Sequence, residues 1–133
     1  MDILERIRKK LSRCPEIVCK IEDGYSLTIS TSSENGFEIV VIVDSRNYFT
    51  VHFDGWHEPF TKEEDVLNCV CFGLTNQCRL KVVKRGRMEC SWTLEYKDGD
   101  KWCEDATTGL LFVPFWRKKI IEYRQNNITP LYG

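Results

Sequence analysis

The chain predicts an α+β fold, an antiparallel sheet with two helices on one face in the approximate order αβββαβββ. Two observations lead to this prediction. Apolar residues recur with a helical period in two stretches, and they alternate with polar residues through most of the remaining chain. The segments between the alternating stretches are short and rich in turn-forming residues, which favours antiparallel neighbours.

The first helix is predicted at the N-terminus, where Asp2 and Glu5 have the spacing of a capping box. One face of this helix is apolar and comprises Ile3, Leu4, Ile7 and Leu11. We expect the pair Cys14-Pro15 to end the helix. The period then changes to two, which predicts strands over residues 17–22, 25–31, 37–44 and 48–53.

A second helix is predicted after an irregular corner that follows the fourth strand. Thr61 and Glu64 have the spacing of a second capping box, so this helix should begin close to Lys62 and end near Leu74. Its apolar stripe suits packing on a sheet and comprises Val66, Leu67, Val70, Cys71 and Leu74.

The chain after the second helix again alternates with a period of two. We expect strands over residues 78–83 and 88–96, on either side of a hairpin turn at residues 85–87. The second of these strands is the clearest in the chain. Its apolar face comprises Met88, Cys90, Trp92, Leu94 and Tyr96.

The last part of the chain is predicted as shorter extended pieces. Asp98-Gly99 predicts a type I′ turn into a strand near Trp102, and a loop should follow over residues 105–109. Pro114 cannot donate to a central ladder, so we expect it to bend two further extended pieces apart, over residues 110–113 and 117–124.

Length and composition predict a single globular domain over residues 1–127 and a loosely ordered C-terminal tail over residues 128–133. The 133 residues are 42% apolar, which is enough to bury a core without disulfides or a metal. No stretch is long and apolar enough to span a bilayer, and the N-terminus lacks the apolar segment of a signal peptide. We therefore expect a cytoplasmic protein with no membrane contact.

The seven cysteines are an odd number, lie mostly within apolar patterns and include no CxxC pair. This pattern favours reduced, buried thiols. Cys69 and Cys71 would point about 200° apart around a helix, an arrangement that does not suit zinc. We predict no metal site and no cofactor.

Charge is distributed unevenly along the chain. Residues 14–75 carry a net charge of −8, residues 76–133 a net charge of +4, and the first thirteen residues a net charge of +3. Such asymmetry indicates either a charged partner or an attraction between the two halves within the fold. We favour the second interpretation.

Six short motifs occur within residues 50–127, namely Gly55-Trp56-His57-Glu58, Cys71-Phe72-Gly73-Leu74, Cys78-Arg79-Leu80-Lys81-Val82-Val83, Trp92-Thr93-Leu94-Glu95-Tyr96, Thr107-Thr108-Gly109-Leu110 and Pro114-Phe115-Trp116-Arg117. This set resembles a family of small hypothetical bacterial proteins with no assigned activity. The resemblance implies a bacterial cytoplasmic domain and assigns no functional residue.

The best candidate site is the corner before the second helix, where Asp54, His57 and Glu58 gather an imidazole and two carboxylates. A histidine beside a carboxylate can act as a general base. The alternative, which we favour, is that His57 and Glu58 only hydrogen-bond the loop and the helix N-terminus. Trp56 and Phe60 are candidate contact residues at the same corner.

A second candidate surface combines Trp116 and Arg117 with the basic residues beside them, Lys118 and Lys119, and with the basic segment 84–87. An aromatic next to basic residues is typical of a surface for single-stranded nucleic acid. The favoured alternative is a set of edge charges that block aggregation of the sheet. No nucleic-acid-binding signature is present, so we do not expect a nucleic-acid partner.

The leading functional hypothesis is a non-enzymatic binding or interaction module. Its surface would be the Trp56 to Phe60 corner together with neighbouring exposed aromatic residues, and its partner a protein or a second copy in a homo-oligomer. The alternative is an enzyme or a small-ligand-binding protein with a pocket between the second helix and the sheet, near His57 and Glu58.

Overall fold

Residues 2–128 are described by the structure, a computed structural model. This part of the chain contains two helices and nine strands. In chain order they are α1 (Ile3–Leu11), β1 (Ile17–Glu22), β2 (Ser26–Thr31), β3 (Ile39–Ser45), β4 (Tyr48–Phe53), β5 (Trp56–Phe60), α2 (Glu63–Leu74), β6 (Cys78–Arg85), β7 (Met88–Asp98), β8 (Lys101–Gly109) and β9 (Lys119–Arg124). Neither helix is long and apolar enough to cross a membrane.

The α+β class is confirmed, but the strands form two antiparallel sheets instead of one. The first sheet is a meander in the order β1-β2-β3-β4-β5, and the second has the order β8-β7-β6-β9. The predicted order αβββαβββ becomes one helix, five strands, one helix and four strands. Compared with the four strand ranges predicted before the second helix, the first sheet has one additional strand, β5, which pairs with β4 across a turn at Asp54-Gly55.

The N-terminal helix has the predicted cap and the predicted face. The Oδ1 atom of Asp2 accepts a hydrogen bond of 2.9 Å from the backbone amide of Glu5. All four residues of the predicted apolar face are buried, namely Ile3, Leu4, Ile7 and Leu11. The side chain of a good N-cap satisfies an amide that the helix itself cannot pair, which explains why this signal was reliable.

The second helix begins one residue later than predicted, and its predicted capping box is wrong. Its N-cap is Lys62, whose side chain makes no capping hydrogen bond. Lys62 still has the extended backbone of the strand before it, with φ −121° and ψ 134°, so Thr61 lies outside the capping position. Negative charge on the first turn is met instead by Arg6 of α1, which forms ion pairs with Glu63 at 2.5 Å and Glu64 at 3.7 Å.

The second sheet differs from the prediction near its C-terminal strands. β8 continues to Gly109, so the segment predicted as a loop over residues 105–109 is strand, and it pairs with β7 up to Ser91. The segment predicted as a strand over residues 110–113 lies in the connection to β9. A bulge between Thr93 and Glu95 adjusts the register of this pair, which allows the polar residues of β8 to continue the ladder.

Both helices and both sheets contribute to one hydrophobic core. The first sheet buries one face, including Leu27, Ile39 and Val51, and the second sheet contributes Leu80 and Leu94. The predicted apolar face of β7 is only partly buried, because Met88 and Tyr96 at its two ends are exposed.

The opposite face of β7 is also covered, which the alternation of the sequence did not indicate. Glu95 is buried there and accepts a hydrogen bond of 2.5 Å from Arg79. The Arg79 guanidinium stacks between the rings of Trp102, 4.3 Å away, and Tyr123, 4.1 Å away. Arg79 therefore pairs the Glu95 carboxylate and shields it from water.

The chain beyond β9 is anchored up to its last described residue. Asn126 is fully buried, with its amide bonded to the carbonyl oxygens of Phe37 and Gly73. Ile128 is buried and its backbone amide donates to Leu74 O at 2.9 Å. Of the predicted loose tail over residues 128–133, only Ile128 belongs to the described part of the chain, and residues 129–133 lie outside it.

Candidate functional site

The predicted corner before the second helix is a β-hairpin whose residues face different directions. Asp54 and Gly55 form its turn, and Asp54 has a left-handed backbone with φ 51°. Successive residues of β5 then point to opposite faces of the sheet, so that Trp56 and Glu58 face the core side and His57 faces the other. The two neighbouring residues of the predicted site are thus separated by the sheet.

Asp54 belongs to a charged network that joins the two sheets. Its Oδ2 atom accepts a hydrogen bond of 2.6 Å from Arg124, and its Oδ1 atom accepts one of 3.2 Å from the amide of Glu38. The same guanidinium contacts Glu89 at 3.1 Å and Glu122 at 3.3 Å. Burial opposes the charge of Arg124, but hydrogen bonds to Glu89 and Asp54 outweigh it and raise the pKa of the guanidinium.

The two aromatic residues predicted at this corner belong to the interior. Trp56 is only 1% exposed, and its ring centroid lies 4.8 Å from that of Phe53. Phe60 is half-buried and packs against the same core. Burial of apolar area accounts for both side chains without a partner.

His57 lies on the exposed face of β5, directly opposite His52 of β4. Their ring centroids are 5.3 Å apart. Burial and then the neighbouring His57 lower the pKa of His52, although Asp44 acts in the other direction. Within residues 2–128 the His57 imidazole has no hydrogen-bond partner, so the structure gives no support to the hypothesis that it holds the corner together.

Glu58 faces α2 and lies near Asp105 of β8. Burial, followed by the negative charge of Asp105, raises the pKa of the Glu58 carboxyl. The same two carboxyls act on Cys69 of α2, whose thiol pKa is raised to about 12, mainly by burial. A thiol with this pKa is protonated at neutral pH and cannot serve as a nucleophile.

Trp116 and Arg117 lie in the connection between β8 and β9, where apolar side chains are unusually exposed. Four side chains of this loop project into solvent, with exposed fractions of 89% for Leu111, 84% for Phe112, 73% for Phe115 and 72% for Trp116. Phe115 and Trp116 contact edge to face, with ring centroids 5.4 Å apart. We refer to residues 110–116 as the apolar loop.

The apolar loop curves around an open cleft of about 680 Å³ that is lined by Met88, residues 111–116 and Arg117. The loop is tied to the β6–β7 hairpin because Gly86 N donates to Lys118 O at 2.9 Å. Gly86 has φ +64°, and a Cβ there would lie 3.2 Å from Arg117 Cδ. This close approach brings the hairpin turn and the loop together at one end of the second sheet.

Two segments rich in basic residues border the apolar loop, and the acidic residues that flank them, Glu89 and Glu122, are paired with Arg124 and Lys84. Segments 84–88 and 110–121 contain no Asp or Glu. Lys84 pairs with Glu122 at 3.8 Å. The other basic residues of the two segments have no ion-pair partner within residues 2–128, and we call them the basic rim: Arg85, Arg87, Arg117, Lys118 and Lys119.

The described residues include no cluster suited to a metal ion. No group of three or more His, Cys, Asp or Glu side chains is arranged to hold one between residues 2 and 128. All seven cysteines are free thiols. Burial raises the pKa of Cys19, Cys71 and Cys78, so these thiols are protonated near neutral pH.

The sequence prediction identified part of the exposed surface and missed the rest. Trp116 and Arg117 were candidates, whereas Met88, Leu111 and Phe112 were not. The signal was the run of seven residues from 110 to 116 without a polar side chain, interrupted by Pro114. A half-buried strand would alternate, so this run departs from the strand pattern, but the pattern does not show that its side chains are exposed.

The chain matches no protein-family model, no curated protein and no solved structure. Its candidate site is therefore defined by its own geometry. That site is the apolar loop with its cleft and its basic rim, at the end of the second sheet.

Proposed function

We propose that the protein is a non-enzymatic binding module whose contact surface is the apolar loop together with the basic rim. The observation that carries this proposal is the exposure of Leu111, Phe112, Phe115 and Trp116 within one short segment. Contiguous apolar surface of this kind is uncommon on a monomer and is typical of an interaction site. The partner would be apolar where it meets the loop and negatively charged at its border.

The composition of this surface also favours binding. Trp and Arg are among the residues that contribute most to contact energies, and Trp116 and Arg117 are adjacent here. The loop lies on a rigid support, since its ends are held by β8, by β9 and by the Gly86 to Lys118 hydrogen bond. Connecting loops on a rigid scaffold are where binding residues concentrate.

The alternative of a catalytic or ligand pocket near His57 and Glu58 has less support. The two side chains lie on opposite faces of the first sheet, so they cannot act together on one substrate. The neighbouring thiol of Cys69 has a pKa of about 12. Among residues 2–128, no group near this position has both the geometry and the protonation state of a nucleophile and its base.

The free cysteines favour a reducing compartment for this module. Seven thiols without a disulfide are typical of proteins in the cytoplasm, where thiols are kept reduced. We infer a cytoplasmic location on this basis.

Site-specific photo-cross-linking tests the proposal. A benzophenone amino acid would replace Phe112 in one variant and Val18 in another, since Val18 is 66% exposed on the first sheet and serves as the matched control. After irradiation in cells, we expect an adduct with a protein or with lipid from position 112 and none from position 18. Equal labelling at the two positions would contradict the proposal.

A further inference from the structure

We propose that the apolar loop and the basic rim dock on the surface of a lipid bilayer that carries anionic headgroups. This inference rests on the proposed function and names the partner of the same surface. It departs from the expectation of no membrane contact, because that expectation considered only segments long enough to span a bilayer. A surface contact requires a much shorter apolar element.

The apolar loop has the composition and exposure that such a contact needs. Leu111 and Phe112 are the most exposed side chains, and Phe115 and Trp116 lie beside them. Aromatic side chains are enriched at the boundary between headgroups and acyl chains, and apolar groups on peripheral proteins enter this boundary by about 5–10 Å. A short loop can reach that depth without placing the sheets in hydrocarbon.

The basic rim adds an attraction that depends on anionic lipid. Its five side chains lack ion-pair partners within residues 2–128, whereas Lys84 and Arg124 of the same sheet are paired. Segments 84–88 and 110–121 contain no Asp or Glu, and the flanking Glu89 and Glu122 are paired with Arg124 and Lys84. Clustered cations beside an apolar element are the pattern that anionic membrane surfaces attract.

The overall charge distribution orients the molecule on such a surface. Residues 14–75, which form the first sheet and α2, carry a net charge of −8. Residues 76–133, which include the second sheet and the loop, carry +4. With the +3 of residues 1–13, the first 75 residues carry −5, so an anionic surface attracts the second sheet and its loop and repels the part of the chain that forms the first sheet.

A bilayer suits the exposed side chains better than a protein surface does. The exposed side chains of the apolar loop project around an open cleft and do not form a flat face. A protein partner would need a complementary shape for each projection, since packing at protein interfaces is as dense as in protein interiors. Lipid chains adapt to any apolar projection.

Vesicle co-sedimentation tests the inference with defined probes. The intact protein would be mixed with vesicles of phosphatidylcholine alone and with vesicles that also contain phosphatidylglycerol. We expect binding to the mixed vesicles, little binding to phosphatidylcholine alone, and loss of binding as salt is raised. Failure to bind either type of vesicle, or equal binding to both, would overturn the proposal.

Variants separate the two parts of the surface. Phe112→Ser/Trp116→Ser should abolish vesicle binding. Lys118→Gln/Lys119→Gln should weaken it by roughly tenfold or more, since each cation near the surface contributes about one kcal/mol. Lys9→Gln/Lys10→Gln, on the exposed face of α1, is the charge-matched control and should bind like the wild type. Equal losses in the two lysine variants would contradict a specific rim.

The cross-linking experiment at Phe112 distinguishes failure of this inference from failure of the proposed function. If vesicles do not bind but position 112 gives a discrete protein adduct, the surface is a binding site and its partner is a protein. If vesicles do not bind and position 112 gives no adduct beyond that of position 18, both proposals fail.

Discussion

Asp54 combines a left-handed backbone conformation with a side chain that takes part in a charged hydrogen-bond network. Its φ of 51° is a conformation that Asp and Asn tolerate better than other non-glycine residues. Its two carboxylate oxygens bind Arg124 and the amide of Glu38. The sequence indicated Asp54 as a candidate site residue at the corner before α2. Its hydrogen-bond partner Arg124 lies 70 residues away along the chain, and no local pattern predicts that contact.

We predict that Asp54→Ala lowers the free energy of unfolding by about 2 kcal/mol, because it leaves the partly buried Arg124 with one acceptor fewer and places Ala at positive φ. Asp54→Asn keeps an acceptor and tolerates the backbone, so it should cost less. Chaotrope unfolding measures both. Equal stability of Asp54→Ala and the wild type would show that the network contributes nothing.

The carboxyls of Glu58 and Glu89 should respond to pH in opposite ways. Burial and Asp105 raise the pKa of the Glu58 carboxyl in the folded protein. Deprotonation of Glu58 therefore destabilises the fold as pH rises above the pKa that Glu58 has in the unfolded chain. Hydrogen bonding by Arg124 lowers the pKa of the Glu89 carboxyl in the folded protein. The ionised Glu89 therefore stabilises the fold at any pH above its pKa in the unfolded chain, and this stabilisation is lost as pH falls through its pKa in the folded protein.

We therefore predict that Glu58→Gln raises the melting temperature at pH 7 and that Glu89→Gln lowers it. The Glu58 difference should vanish below the unfolded pKa of glutamate, about 4.3, whereas the Glu89 difference should shrink only as pH falls from about 4.3 through the lowered folded pKa of Glu89. Thermal melts across this range provide the measurement. A loss of stability in Glu58→Gln at pH 7 would reverse the sign predicted for this carboxyl.

A substitution in the pair His52 and His57 should change the pKa of an imidazole without changing the stability of the fold. His57→Gln removes one of the two causes that lower the pKa of His52, so that pKa should rise toward its usual value. The unfolding free energy should change by less than about 0.5 kcal/mol, as for other exposed sites. Imidazole proton NMR across pH follows His52 directly, and an unchanged His52 pKa would contradict the pairing.

At the scale of elements, the two predicted capping boxes had different outcomes for a physical reason. Asp2 has an extended backbone and caps α1, whereas Thr61 directly follows β5 and α2 begins after Lys62. Sequence spacing cannot show that a strand ends only two residues before a helix. β5 was missed because Pro59 and Gly55 resemble loop residues, although proline is tolerated on an edge strand.

The caps can be compared with a matched pair of substitutions. Asp2→Ala should lower the free energy of unfolding by about 1 kcal/mol, because the amide of Glu5 loses its acceptor. Thr61→Ala should change it by less than about 0.5 kcal/mol, since Thr61 is exposed and caps nothing. A larger loss for Thr61→Ala than for Asp2→Ala would restore the capping box at α2.

Strands were predicted well where apolar and polar residues alternate regularly, and poorly where polar residues interrupt that alternation. β1 and β4 have the predicted bounds because each alternates between turn residues. β8 was cut short because Glu104, Asp105 and Thr107 resemble a loop, yet an edge strand exposes such residues at no cost. The division into two sheets depends on which strands pair over long sequence distances, and the periodicity of the sequence does not indicate this pairing.

At the scale of the whole molecule, the core and the apolar loop are spatially separate. The core lies between the sheets and helices, and the apolar loop extends from the end of the second sheet. Seven residues without a polar side chain can be recognised in the sequence, but periodicity assigns them to a strand or to the core. Only the fold shows that their side chains point into solvent.

The most direct test of this account is the unfolding free energy of Phe112→Ser/Trp116→Ser compared with the wild type. If the apolar loop is a contact surface and not part of the core, chaotrope unfolding should give values within about 0.5 kcal/mol of each other. Loss of two aromatic side chains from a packed core costs about 3–5 kcal/mol each. A loss of that size would show that the loop belongs to the folded interior and would contradict the account.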